Sequence, residues 1–548
     1  MQRQRRWRAI GASLVLGTAA AAVATGAAGT PAGAQSTPIV PNFGVVDVPA
    51  GDVMAPSGYY RTNSAGVTLT GTAAGVTVTL TEGANTFTLD LAPPTGGSLA
   101  VGTYTGTALA PTASAPMLKV AKGAAICNAP SGQFTVSDIG FTGPNVTRMA
   151  ATWRLTCTSV ANNPVSSGMF YFGQTAGPIG TPQVGEFYPM TPKRLLDTRD
   201  SAPLGPGGST NLQVAGGSSG VPANAIAVVL NVTGVVPSQA TFLTVYPTGS
   251  AKPTVSNLNP AAGDIVPNLT TVKVGTSGNV TLYNEAGTTN AVVDVMGYYL
   301  PDDNGAQGLR FNPISPQRLL DSRNGTAFGP GESRELVVDA SADAAVLNVT
   351  GIALNTATYI TVSPFGEAVP VVSNLNVSPL QTIPNLVVVK LTGGKANLYN
   401  AAGNTHLVVD LVGTFKTTGP TPAGGRFVPI TPARAYDSRT PILPGQPVGA
   451  LGAGGSRDLG LLGVLNAYPF EFGGWVGNVT VADTTAESFL TVHPTGFGRP
   501  GSSNLNWKAG EIRPNLVMMG TDSYGFNTFY NEAGSTAVIV DIAGWFTR

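Results

Sequence analysis

An all-β fold is predicted: one N-terminal β-sandwich followed by three tandem antiparallel β-sandwich or jelly-roll-like repeats. Three observations predict it. Turn formers abound and charge is scarce, with 70 Gly and 43 Pro in 548 residues and only 11% charged, against about 25% in an average soluble protein. Period-two alternation recurs along the chain, and outside the N-terminal leader no stretch sustains the i, i+3, i+4, i+7 apolar spacing of a helix. Finally, one long self-similar unit occurs three times. The length suggests roughly three to five domains, and the hydrophobic fraction of 43% is ample for packed cores.

Residues 1–34 are read as a secretory signal peptide. Arg3, Arg5, Arg6 and Arg8 precede an apolar stretch from Ala9 to Ala28, and Ala32-Gly33-Ala34 is an A-x-A cleavage site. The mature chain is expected to begin near Gln35. An uncleaved anchor is the alternative, disfavoured because the stretch is rich in Ala and Gly and weakly hydrophobic. The Arg5-Arg6 pair hints at twin-arginine export, against which Arg8 stands where an apolar residue is wanted. No later segment has eighteen uninterrupted apolar residues, so no membrane association is expected after cleavage. The C-terminus reads as a final strand without a sorting motif.

Basic and acidic residues balance at 29 each. Setting aside the leader arginines leaves a mildly acidic remainder, without the basic footprint that nucleic-acid binding requires. The two cysteines, Cys127 and Cys157, suit one disulfide in an exported protein. A metal or redox pair is the weaker reading: the spacing is far from C-x-x-C and no His lies nearby.

The first domain is placed at 35–177. Val67–Thr70, Val76–Leu80 and Thr86–Leu91 alternate with period two between turn residues, as half-buried antiparallel strands do. Gly132–Val136 and Met149–Leu155 are further strand candidates, which the disulfide would tie together.

The repeats are placed at 187–300, 311–416 and 427–548. Each opens on Phe-x-Pro-[Ile/Met]-[Ser/Thr]-Pro and runs to Asp-[Ser/Thr]-Arg, and each closes on Val-Asp-x-x-Gly-x-[Tyr/Phe]. From Asn231, Asn348 and Asn478 to Ser256, Ser373 and Ser503 is 25 residues every time, and from those serines to Asn268, Asn385 and Asn515 is 12. From Asn284, Asn400 and Asn531 to Asp294, Asp410 and Asp541 is 10. The stretch from the opening Asp to Asn-Val-Thr instead runs 34, 27 and 41 residues. Constant spacing implies strands in register, and the variable stretch implies a surface loop. With about eight candidate strands in about 110 residues, each unit is expected to be an independent sandwich, beads on a string rather than one solenoid or propeller.

Residues needed to build the unit should appear in all three copies. Arg194, Asp197, Arg199 and Asp294 recur as Arg318, Asp321, Arg323 and Asp410, and as Arg434, Asp437, Arg439 and Asp541. In a strand, Asp197 and Arg199 would share a face. A carboxylate beside guanidinium groups forms charge-assisted, bidentate hydrogen bonds. Two readings follow: a structural clasp pinning the opening strand, which is preferred, or a ligand site for a carboxylate or sugar. Asn231, Asn257, Asn259, Asn268 and Asn284 also recur, and Asn is poor in strand interiors. Their amides are expected to satisfy backbone groups or turns. A Ca²⁺ site is the lesser alternative, since no D-x-D-x-D-G loop occurs; no cofactor is expected. Trp475, Trp507 and Trp545 occur in the third unit where the other two have no Trp; core positions are the preferred reading, and Trp475, in the variable stretch, is the candidate exposed aromatic.

No catalysis is expected. His406 aligns with Asn290 and Ala537, and His493 with Tyr246 and Ser363, so neither belongs to the framework. No G-x-S-x-G elbow, Cys/His pair or H-E-x-x-H occurs. A glycoside hydrolase using Asp197 with Asp294 is the remote alternative, weakened because flanking arginines lower the pKa of Asp197.

The repeat from Phe187 to Arg548 resembles one common in secreted and surface proteins of actinobacteria, where it often sits beside cell-wall or hydrolase domains. The third copy departs from the pattern at Ala435-Tyr436, where the first two have Leu-Leu. Cys127-Asn128, Gly132–Val136, Asn145–Ala151 and Cys157 are similar to an uncharacterised secreted β-domain. Both resemblances imply export and β-architecture, and neither supplies a catalytic residue. The function expected is a secreted or cell-surface modular binding protein engaging cell-wall polysaccharide or another extracellular glycan, with tandem sites gaining avidity. The alternative is a structural spacer or adhesin-like stalk.

Overall fold

The computed structural model describes residues 43–48, 53–54, 58–62, 66–161, 165–173, 183–301, 308–417, 424–442, 446–461, 472–522 and 525–547. The signal peptide of the sequence reading lies outside them. The chain is all-β, and among the described residues its strands pair with one another antiparallel, with one isolated parallel bridge between Ala108 and Met117.

In the first domain the strand alternation works as the sequence implies. Val67–Thr72, Gly75–Glu82, Asn85–Ala92 and Met117–Lys122 form a meander. Their inward residues, among them Val78, Leu80, Phe87, Leu89 and Leu118, are buried. A second layer contains the long strands Pro130–Thr142 and Asn145–Cys157, with Val165–Phe172 and Phe43–Val48. The layers are linked where Asn145 pairs Thr72. Phe134, Met149, Trp153 and Phe170 fill the space between them. Cys127 and Cys157 are disulfide-bonded, with Cα atoms 5.5 Å apart. The bond fastens the entry of one long strand to the end of the other, whose Cys157 pairs with Pro130.

Each repeat is a two-layer sandwich. Its inner sheet has four strands: the opening strand, the Asn-Val-Thr strand, the Pro-Asn-Leu strand and the closing strand. In the first unit these are Gly185–Asp197, Ala227–Val235, Ile265–Lys273 and Asn290–Pro301. The second unit has Leu309–Asp321, Ala344–Ala353, Thr382–Lys390 and Thr405–Thr417, and the third Phe427–Asp437, Phe472–Ala482, Arg513–Gly520 and Ala537–Thr547. In each unit the closing strand lies between the opening and Asn-Val-Thr strands. The outer sheet of the first unit is Ser209–Gln213, Asn279–Asn284 and Leu243–Pro247. In the second and third units a short strand, Leu375–Val377 or Leu505–Trp507, is added at its edge.

The opening strand is bent where its sequence demands. Pairing with the closing strand is interrupted between Pro189 and Lys193, between Pro313 and Gln317, and between Pro429 and Ala433. Proline has no N–H for a ladder, so the P-x-x-P segment bulges. A second shift after Arg194, Arg318 and Arg434 leaves each arginine opposite Asp294, Asp410 and Asp541.

The three units are not separate beads, and that expectation is corrected. Phe187 pairs with Leu309, Phe311 with Gly425, and Phe427 with Gly185, so the entries to the three opening strands bond in a closed cycle. Their inner sheets merge into one of twelve strands. The inner faces enclose a core shared by all three units, built from Phe187, Tyr299, Phe311, Phe415, Phe427 and Phe546 with Val229, Val346 and Val476 around them. Ring centroids lie 4.3 Å apart for Phe187–Phe415, 4.4 Å for Phe311–Phe546 and 4.5 Å for Tyr299–Phe427, and each of these pairs joins two units. Each unit keeps its own core between its two sheets. The repeat block is therefore pseudo-threefold, and the inner sheets are covered on both faces.

Candidate functional site

The repeated polar residues meet along the lines where units join. Asn231 and Asp294 are register partners, as are Asn348 and Asp410, and Asn478 and Asp541. Each inner sheet thus carries a row of Arg, Asp and Asn across three adjacent strands.

Arg194 donates from Nε to Asp294 and from Nη1 to Asp197, the latter at 2.9 Å. Arg318 does so to Asp410 at 2.5 Å and to Asp321 at 3.2 Å, and Arg434 to Asp541 and Asp437. The third donor direction of each arginine crosses to the next unit. Nη2 reaches the carbonyl of Val371 from Arg194, of Gly501 from Arg318, and of Thr254 from Arg434, at 3.1–3.2 Å. The structure thus brings Arg194, Asp197, Arg199 and Asp294 together, and likewise their counterparts.

Asp197 and Arg199 do not share a strand face. The strand ends at Asp197, and Thr198–Asp200 is a 3₁₀ turn whose Arg199 N–H donates to the Asp197 carboxylate at 3.1 Å. The Arg199 guanidinium then folds back on the same carboxylate. The hydroxyl between them is bonded as well, since Thr198, Ser322 and Ser438 accept the N–H of Ala291, Leu407 and Val538 on the closing strand. All three residues of Asp-[Ser/Thr]-Arg are engaged within the unit.

The asparagines complete the junctions. Asn231 donates to the carbonyl of Ser373 at 2.7 Å, Asn348 to Ser503 at 2.6 Å, and Asn478 to Ser256 at 2.7 Å. Asn385 donates to Asn231, Asn515 to Asn348, and Asn268 to Asn478. The amide oxygens of Asn385, Asn515 and Asn268 accept the N–H of Leu269, Leu386 and Leu516 in the neighbouring unit. Every bond has its counterpart at the other two junctions. Asn231, Asn268, Asn348, Asn385, Asn478 and Asn515 are all buried, so each bond spares a desolvated amide or carbonyl.

Other asparagines work within a unit. Asn257, Asn374 and Asn504 accept the N–H of Val245, Val362 and Val492. Asn284 donates to the carbonyls of Leu204, Gly205 and Gly287 and accepts from Thr241. Asn400 and Asn531 repeat that pattern. These amides hold the crossing from the outer-sheet strand to the closing strand of the inner sheet.

The carboxylates divide into two kinds. Hydrogen bonding from Arg199 and Arg323 lowers Asp197 and Asp321 to about 2. At Asp437, burial pulls upward and the bonds from Arg439 outweigh it, leaving the group below its ordinary value. Asp294, Asp410 and Asp541 are instead raised, because burial outweighs their bonds to Arg194, Arg318 and Arg434; Asp541 reaches about 6. Among the described residues, no group of three or more His, Cys, Asp or Glu side chains could hold a metal ion.

Trp475 is not the exposed aromatic that the sequence suggested. It is 0% exposed, in the Asn-Val-Thr strand of the third unit, with its indole N–H donating to Asn527 at 2.8 Å. Strand alternation turns it between the two sheets, near Phe529. Trp507 and Trp545 are buried too.

No known family model matches the sequence, and no curated protein matches it. Among solved structures, it is similar to one described as the triple jelly roll fold and turret assembly of an archaeal virus. That match has 12% identity over 66% of this chain and 90% of that one, with a TM-score of 0.14. A second, described as an atomic structure of Sulfolobus turreted icosahedral virus, has 10% identity over 66% and 91%, also at 0.14.

Proposed function

We propose that this is a secreted or cell-surface, non-catalytic protein whose three repeats make one rigid head that binds cell-wall polysaccharide or another extracellular glycan. The observation that carries this reading is the use made of the repeated Arg, Asp and Asn side chains. Each is already committed to a neighbour inside its unit or across a junction. The chemistry common to the repeats therefore builds the head, and recognition falls to its outer sheets. A carboxylate held near 2 by arginine is a poor general acid, which weighs against glycoside hydrolysis by Asp197 with Asp294.

A purely structural stalk is the second reading. Repeats lengthen a stalk when strung end to end, whereas three units sharing one core add breadth and little reach. The test is cosedimentation of the purified mature protein with isolated cell walls and their extracted polysaccharide. Retention that survives high salt, with no release of reducing sugar, is expected. Absence of retention on every wall fraction would leave the structural reading in its place.

A further inference from the structure

One feature recurs in all three units without serving any core. On or just beside the outer sheet of each stand two aromatics at equivalent positions: Phe242 and Tyr283, Tyr359 and Tyr399, and Phe489 and Tyr530. Five of the six are half-buried, and Tyr359 is 41% exposed. A serine, Ser209, Ser333 or Ser456, pairs with the tyrosine each time. Packing explains the buried aromatics of the shared core, but it does not explain a half-exposed pair kept three times.

The copies differ in one respect. In the first unit the Lys252 ammonium lies 3.8 Å from the Tyr283 ring centroid and 3.4 Å from Glu285, which also accepts the Tyr283 hydroxyl at 2.7 Å. In the third, Arg499 lies 3.9 Å over Tyr530 and 3.2 Å from Glu532, which accepts the Tyr530 hydroxyl at 2.8 Å. Both tyrosine faces are thus covered by the chain's own cation. In the second unit the corresponding positions are Val369 and Ala401. Neither can cover Tyr399 with charge, and neither the Tyr359 nor the Tyr399 hydroxyl bonds to a described residue.

We infer that Tyr359 and Tyr399 form a stacking subsite for one sugar ring, open in the second unit and closed in the first and third by Lys252 and Arg499. This rests on the glycan-binding reading above. The two rings are 6.2 Å apart and inclined at 52°, a shallow corner in which the C–H face of a pyranose meets a π face. The same negative π face draws the cation in the other units. The free phenols, Ser333 and Asn397 offer hydrogen bonds to ring hydroxyls. Lys395 on the same sheet is ion-paired with Glu335 at 2.8 Å, so the two together add little net charge beside a neutral sugar.

The test titrates the full mature chain with isolated cell-wall polysaccharide and with soluble β-glucan, xylan and chitin oligosaccharides. Two variants carry it: Tyr399→Ala, and Val369→Lys with Ala401→Glu, which installs the cover of the first unit and leaves both tyrosines in place. Each is expected to weaken binding at least tenfold while the thermal midpoint stays unchanged. Lys252→Ala is expected to add a second site of similar affinity. If the parent protein binds a glycan and the covered variant binds it equally well, the subsite is wrong and the glycan reading stands. If the parent binds no glycan in the set, both fall.

Discussion

At the scale of single residues, the junctions depend on buried amides with partners in a different unit. Asn348 is 1% exposed and bonds to Ser503 and Asn515 across one junction. Asn348→Ala would strand the Ser503 carbonyl and an Asn515 donor, at roughly 1–3 kcal/mol for the unsatisfied groups. Denaturant unfolding is expected to show that loss, and substitution of the half-exposed Asn376 is expected to show little. The carboxylates make a second, signed prediction. Asp197 and Asp321, lowered to about 2 when folded from an ordinary 3.8, contribute stability present above 3.8 and lost as pH falls towards 2. Asp541, raised from 3.8 to about 6, acts oppositely: folding favours its protonated form, so stability grows as pH falls through 6 towards 3.8. The thermal midpoint should therefore be at least as high at pH 5 as at pH 7.5 and should drop below pH 4. Asp541→Asn is expected to reduce the gain between pH 7.5 and 5 without moving the acid limb.

At the scale of elements, the closing strand depends on one small residue. A Cβ at Gly297, Gly413 or Gly544 would overlap the ring of Phe187, Phe311 or Phe427 from the opening strand of its own unit. Those rings also form the shared core. Gly413→Ala should therefore cost about 1–3 kcal/mol through overpacking, more than Ala would cost at the exposed Gly498, where an added Cβ would meet nothing. A fall in midpoint no larger than that of a surface control would contradict this packing. Much of this level was legible in the sequence. The constant spacings from Asn-Val-Thr to Ser-Asn-Leu-Asn and Pro-Asn-Leu correspond to strands held in register, and the variable stretch corresponds to loop and outer-sheet segments. The 3₁₀ turn after Asp197 was not legible, because Asp-Thr-Arg continues a strand pattern until the Asp side chain caps the next turn.

At the scale of the whole molecule, the missed feature is closure of the three units on one another. A signal for it exists in the Asn-Val-Thr strands. Ala227-Val228-Val229-Leu230 and Ala344-Ala345-Val346-Leu347 are continuous apolar runs, and both segments are buried at every position. A strand with one face in solvent alternates, whereas a continuous run marks a strand covered on both faces. The partner for the second face was not recoverable from one unit, since it is supplied by residues more than a hundred positions away. The placement of Trp475 was obscured for the same reason: its position in a stretch of variable length hides that it lies in a covered strand, Phe472–Ala482. The clasp residues were recognisable as a group, because all three copies keep them. Their reach into neighbouring units was not, because each Nη2 meets a backbone carbonyl that carries no side-chain signature.

The claim on which these readings depend is that the three repeats are one body with a common core. Expressing residues 308–417, the middle unit, by itself tests this most directly. Removed from its neighbours, it leaves Phe311, Phe415, Val346 and Leu386 without their covering surfaces. Sedimentation is expected to find it self-associated or aggregated, with a midpoint well below that of the full chain. A soluble monomer that unfolds cooperatively at the midpoint of the intact protein would contradict a common core.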